Sequence, residues 1–214
     1  TTPDGTMLLK NATVMVDNCN FTNNYAYYND FGGGAICILG SGSVNDCNFI
    51  NNSVYSRNSQ VSGGGAVYFY NGGSVSNSNF VNNSRFGVTL TPGGGAVFFR
   101  SNVAGSTGLV EYCNFTDNFA DGHGGAVVFI RSGIVDNSNF TNNSVKEGNG
   151  GAVYFHSSVG EVSNSIFINN AAKDGSGAGI YINSGASAIV ENCKFINNRV
   201  GYYGGAVSGS ACVV

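Results

Sequence analysis

The sequence predicts an all-β fold, a right-handed single-stranded parallel β-helix of about seven coils, and three observations predict it. A Phe-x-x-Asn element occurs seven times, beginning at Phe21, Phe49, Phe80, Phe115, Phe140, Phe167 and Phe195, with 25 to 35 residues between successive copies. That is the period range of solenoid arrays. Each copy is followed by a Gly-Gly-Ala-Ile/Val element, beginning at Gly33, Gly64, Gly94, Gly124, Gly150 and Gly204, with Gly177-Ala178-Gly179-Ile180 as a reordered copy. The third observation is composition: 33 glycines against 2 prolines fit many tight turns between short strands, not a proline-rich disordered linker.

Along one coil, the first element is a strand after each glycine pair. Val67 and Phe69, Val97 and Phe99, Val127 and Phe129, Val153 and Phe155, and Ile180 and Ile182 alternate with a variable residue. Period-2 alternation marks a strand with one buried face, and no 3.6-residue period competes with it. The second element is a Ser-Val strand: five residues before each Phe stands Val16, Val44, Val75, Val110, Val135, Val162 or Val190. The third is a short strand around Phe itself, with Gly or Asn at the corners that need positive φ.

Like strands met once per repeat and always running the same way can pair only in parallel. The connections of 4 to 11 residues are too short for a helical crossover, so the chain must coil, rising ~4.8 Å per turn. Right-handedness follows from the chirality of parallel crossovers. The 214 residues read as a single domain, 1–214, with repeats from about 14 to 207, and as a fragment or one subunit of a longer assembly.

Three residues after each Phe stands Asn24, Asn52, Asn83, Asn118, Asn143, Asn170 or Asn198. An amide repeated at one place in every coil is expected to bond the coils above and below as a ladder. Two residues before each Phe stands Cys19, Cys47, Ser78, Cys113, Ser138, Ser165 or Cys193, a column of buried small residues with the thiols free. With no CxxC and no nearby His, a zinc site is not expected, nor is any other metal or cofactor.

Charged residues make up 10% of the chain and the net charge is −3, which removes the basic footprint of a nucleic-acid binder. No apolar run approaches the ~18 residues of a membrane span, so direct membrane insertion is not expected. Catalysis on a β-helix needs paired carboxylates or carboxylates with a metal. Of the acidic column Asp17, Glu111, Asp136 and Glu191, only Glu111 and Asp136 fall in consecutive coils, where they read as a solvated row. His123 and His156 have no triad partner. No catalytic residue is assigned.

The stretches between Asn and the glycine pair vary: eight, eleven and ten residues in the first three coils, five or six thereafter. The longer ones carry Tyr25, Tyr27, Tyr28, Phe31, Tyr55, Arg57, Arg85 and Phe86 on one edge. They read as protruding loops suited to sugar or protein recognition, or as rings that cover one another. A second candidate surface is the outward row Tyr68, Phe98, Val128, Tyr154 and Tyr181, read as an exposed apolar stripe or as cross-strand stacking within the sheet. Of seven N-x-S/T sequons, those at Asn11, Asn51, Asn82 and Asn142 are candidate glycosylation sites. Those at Asn20, Asn114 and Asn139 arise from the repeat itself.

Phe-x-x-Asn and Gly-Gly-Ala-Ile/Val, alternating once per coil over residues 14 to 207, resemble the repeat of the polymorphic outer membrane protein family. A similar repeat occurs in adhesin-like surface proteins of methanogenic archaea. The resemblance implies a right-handed β-helix exposed at the cell surface and used for attachment, and does not imply an enzyme. The expected partner is a protein or glycan of a host or neighbouring cell. Two other roles stay open: a structural filament formed by self-association through coil ends, whose unpaired strand edges invite pairing, and a carbohydrate-active enzyme or tailspike.

Overall fold

A computed structural model describes residues 7–10, 13–28, 32–56, 63–87, 92–100, 103–157, 159–209 and 212–213. Among these the chain is all strand, wound as a solenoid of about seven turns, and the strand pairs along the rod are parallel. Each coil contributes to four sheets. The first, the glycine sheet, stacks eight strands from Met7–Leu9 through Val67–Phe69 and Val127–Phe129 to Val207–Gly209. The valine sheet also has eight, from Val14–Asp17 to Cys212–Val213, and the phenylalanine sheet seven, from Asn20–Thr22 to Lys194–Ile196. A fourth sheet of seven strands runs from Tyr25–Tyr28 to Arg199–Val200.

Register is set by the core columns. Val44, Val75 and Val110 lie directly over one another, and so do Phe49, Phe80 and Phe115. Successive rings of the latter column stack 4.8 Å apart, tilted by 1° and 6°. A slip of one residue would turn every Phe outward, so the pattern admits one pairing. Each buried ring contributes about 1.5 to 3 kcal/mol by leaving water.

Two residues per coil make the corners, and both are left-handed. Asn18, Asp46, Asn77, Tyr112, Asn137, Asn164 and Asn192 precede the Phe strand, while Asn23, Asn51, Asn82, Asp117, Asn142, Asn169 and Asn197 follow it, with φ between 46° and 58°. Asn and Asp enter this region readily because their short polar side chains bond locally. Tyr112 is the exception, holding φ 52° with an exposed ring.

The glycine pair has a different cause. A Cβ on Gly95 would lie 1.9 Å from Gly125 O, and one on Gly125 would lie 2.0 Å from Gly151 O. The coils approach closely here because one carbonyl takes two successive amides: Ala96 O accepts from Ala66 N at 2.8 Å and Val67 N at 3.0 Å. In the reordered copy this fork opens, with Ala152 N donating to Ala178 O and Val153 N to Gly179 O. The space for a Cβ on Gly151 widens accordingly, to 2.5 Å from Ala178 O.

The outward row of the glycine sheet is not an exposed stripe. Tyr68, Phe98, Val128 and Tyr154 are buried and, with Cys37, form a second core cluster, against which Tyr181, Leu39, Tyr70 and Ile130 pack. At the fourth coil the chain leading into the glycine pair lies against this row: a Cβ on Gly124 would fall 2.2 Å from Val128 Cγ2, and the His123 ring stacks on Tyr154 at 4.7 Å. Within the row, Tyr68 stacks on Phe98 and Tyr154 on Tyr181, both at 5.5 Å.

Candidate functional site

The two to four residues that follow each ladder Asn are strands, not the loops expected from the sequence. Ser53–Ser56 pairs in register with Tyr25–Tyr28 on one side and Ser84–Gly87 on the other, and alternate residues point to opposite faces. The inward file holds Ala26, Val54, Arg85, Ala120, Val145 and Ala172, all buried. Arg85 is therefore no surface cation: it is 0% exposed, in line with Val54 and Ala120. Its position between Ser84 and Phe86 turns it inward, and a Cβ on Gly93 would lie 2.7 Å from its Nε.

The outward file gathers the aromatic residues. Tyr27 and Tyr55 stack with centroids 5.5 Å apart and planes 5° apart, yet are 43% and 37% exposed. Phe86 is in register with Tyr55 on the next coil, is 37% exposed, and meets Phe119 at 5.9 Å with a 44° tilt. Tyr25 stands exposed on the same face. Sequence position thus brings together Tyr25, Tyr27, Tyr55 and Phe86, and Phe119 joins them from a coil with a shorter stretch. The Tyr28 side chain, Phe31 and Arg57 lie outside the described residues. Beside them Asp121 turns one carboxylate oxygen to Gly87 N at 2.9 Å.

Three hydrogen-bonded files hold this face in place. In the buried one, Asn118 Oδ1 accepts from Asn83 N at 2.9 Å and Asn83 Nδ2 at 3.0 Å, while Asn118 Nδ2 donates to Phe80 O and Asn143 Oδ1. The same pattern links Asn24 to Asn52, Asn52 to Asn83, Asn143 to Asn170 and Asn170 to Asn198. A second file uses Cys and Ser alike. Cys113 Sγ donates to Glu111 O at 3.1 Å, and Ser138 Oγ donates to Asp136 O at 2.8 Å while accepting from Cys113 N at 3.1 Å. Cys19, Cys37, Cys47, Cys113 and Cys193 are free, and burial pushes the Cys113 thiol up to about 12. The third file is on the surface, where Asn48, Asn79, Asn114 and Asn139 each donate through Nδ2 to the preceding coil's Asn at 2.9 Å. Its signal was the Asn that precedes Phe in five copies.

Of the sequon residues, Asn51, Asn82 and Asn142 occupy exposed left-handed corners, with Asn82 Nδ2 donating to Asn51 Oδ1 at 2.8 Å. Asn11 lies outside the described residues. In the acidic column Glu111 and Asp136 are neighbours in register. Donors from Asn164 and then Ser163 hold the Asp136 carboxyl below its usual range, as a bonded surface row would.

His123 is embedded. Its Nδ1 accepts from Asn149 N at 3.0 Å, and burial lowers its pKa to about 4, with His156 and Arg85 adding repulsion. The unfolded chain, with an ordinary His, holds the extra proton between pH 6.5 and 4, so stability is full above that window and falls as pH drops through it. The loss is bounded by about 3 kcal/mol at 1.36 kcal/mol per pKa unit. Urea unfolding at pH 7 and pH 4.5 should show it in the wild type, and His123→Asn should flatten the difference. An equal pH dependence in both proteins would remove His123 from the account.

No curated protein and no solved structure matches the chain. Residues 137–156 match the family model of the Chlamydia polymorphic membrane protein repeat. They run from the left-handed Asn137 through Phe140 and the ladder Asn143 to Val153–Phe155 in the glycine sheet. At that coil the chain carries a repeat of the polymorphic membrane protein type.

Proposed function

We propose that the protein is a cell-surface adhesin and that the aromatic file of the fourth sheet is its attachment face, the ligand being a glycan of a host or neighbouring cell. The observation that carries this reading is the exposed Tyr27–Tyr55 stack extended by Phe86 and Phe119, in a molecule whose other stacked rings are mostly buried in the two cores. Flat, half-exposed rings on a rigid sheet offer apolar platforms to the C–H faces of sugars. The neighbouring amides of Asn51 and Asn82 offer donors and acceptors to their hydroxyls. Low charge suits a neutral ligand. The polymorphic-membrane-protein-type repeat at 137–156 supports a surface location, and no step of the reading calls for catalysis.

The test is binding of the purified protein to a glycan array and to cells, with Tyr27→Ala/Tyr55→Ala beside the wild type. Each ring is expected to be worth about 1 kcal/mol or more, so the double variant should bind at least tenfold more weakly with an unchanged melting temperature. Undiminished binding would move the attachment face elsewhere. Filaments in electron micrographs would favour the structural reading.

A further inference from the structure

We infer that a cleft at the corner between the glycine and valine sheets binds an acidic polysaccharide chain, with Arg131 taking the acid group. The cleft arises from unequal connections. Seven residues join Phe99 to Thr107 and four join Ile182 to Ser187, but only two join Phe129 to Ser132 and three join Phe155 to Val159. The longer connections end in protruding turns. One is closed by Ser106 N and Oγ, which donate to Val103 O at 3.2 and 2.7 Å, and the other by Ala186 N, which donates to Asn183 O at 2.9 Å. Gly105 and Gly185 sit at their tips with φ of 81° and 86°, and a Cβ on either would meet nothing within 4 Å. These turns are walls three coils apart, ~14 Å at the interstrand spacing, and Arg131 and Ser157 of the short connections lie between them.

The cleft is open to solvent and holds about 300 Å³, lined by Ser106, Arg131, Ser132, Ser157 and Ser187 with Val159. Hydroxyls from four coils suit a polyhydroxylated ligand. Among the described residues the Arg131 side chain makes no hydrogen bond or ion pair; the one ion pair among them, Lys146–Glu147, lies outside the cleft. Glu161 lies on the adjacent coil, further along its strand, and is not bonded to Arg131. A guanidinium in this position is a bidentate receptor for a carboxylate or sulfate. A single cation without an aromatic stacking partner is too little for a nucleic acid, whose binding rests on several phosphate contacts. The cleft lies at a different corner from the aromatic file, so each proposal can fail without the other.

Isothermal titration with a linear hexauronate, a sulfated hexasaccharide and the neutral hexose hexamer tests the cleft and separates the two acids. One acidic oligosaccharide should bind at least tenfold more tightly than the neutral one and weaken with added salt. Arg131→Gln should remove that preference while Arg131→Lys retains part of it, and Tyr27→Ala/Tyr55→Ala should leave it unchanged. Equal binding of acidic and neutral oligosaccharides, no binding of either acid at millimolar concentration, or acidic binding undiminished in a folded Arg131→Gln protein would overturn the proposal.

Discussion

Asn118→Ala is expected to lower the unfolding free energy by about 3 to 5 kcal/mol, because each buried polar group left without a partner costs about 1 to 3 kcal/mol. The side chain it removes is wholly buried and serves four groups. Asn83 N loses its acceptor, Asn83 Nδ2 keeps only Phe49 O, Phe80 O loses a donor, and Asn143 Oδ1 keeps only the bond from Asn118 N. Asn198→Ala should cost less, since Asn198 is only partly buried and its side chain serves Asn170 and Phe167 alone. Urea unfolding of the two variants measures the contrast. An Asn118→Ala midpoint equal to that of the wild type would mean that the amide file is decoration on a fold held by packing.

Gly125→Ala is the larger perturbation. Its methyl group would sit 2.0 Å from Gly151 O and 2.7 Å from Ser144 O, both backbone atoms. No flexible side chain can swing aside, so two coils must part and the forked bonds of Ala152 O to Ala126 N and Val127 N must stretch. A loss above about 4 kcal/mol, or failure to accumulate as folded protein, is expected from strain of this kind. Ala178 shows what accommodation requires: the fork is opened there and the next residue is Gly179. Gly105→Ala is the control, with open space around its Cβ and only the left-handed φ against it, worth about 1 to 2 kcal/mol. If Gly125→Ala melts within a few degrees of Gly105→Ala, the close approach is not what requires glycine.

The coil could be read from the sequence because its determinants are local and repeated. Val five residues before Phe, the Phe itself and the Asn three after it each meet a copy of themselves one turn away, so a column in the fold is a column in the alignment of the repeats. The fourth sheet was harder to see. Its strands shrink to two residues from Phe119–Ala120 onward, and its outward positions carry Tyr, Ser, Phe, Ala and Arg without a common chemistry. Alternation in Tyr25-Ala26-Tyr27 and Ser53-Val54-Tyr55 was the available signal, and it correctly turns Arg85 inward. The burial of Tyr68 and Phe98 was invisible for another reason. A strand pattern shows which residues share a face, but not whether a second layer of chain lies over it. The left-handed corners fall one residue before the Cys/Ser column and one before the ladder Asn, where Asn and Asp interchange and Tyr112, in the first of these sets, breaks the rule.

Because neighbouring coils are joined by bonds that run along the rod, a pull on the chain does not strain the whole molecule at once. It peels the outermost turn, rung after rung, while the turns behind keep every partner they had. Each turn that lets go pays out 25 to 35 residues of slack, on the order of 100 Å when drawn straight. Attached by its face and tugged by its chain, the rod would lengthen in steps and dissipate work at each, a tether that yields gradually before it snaps.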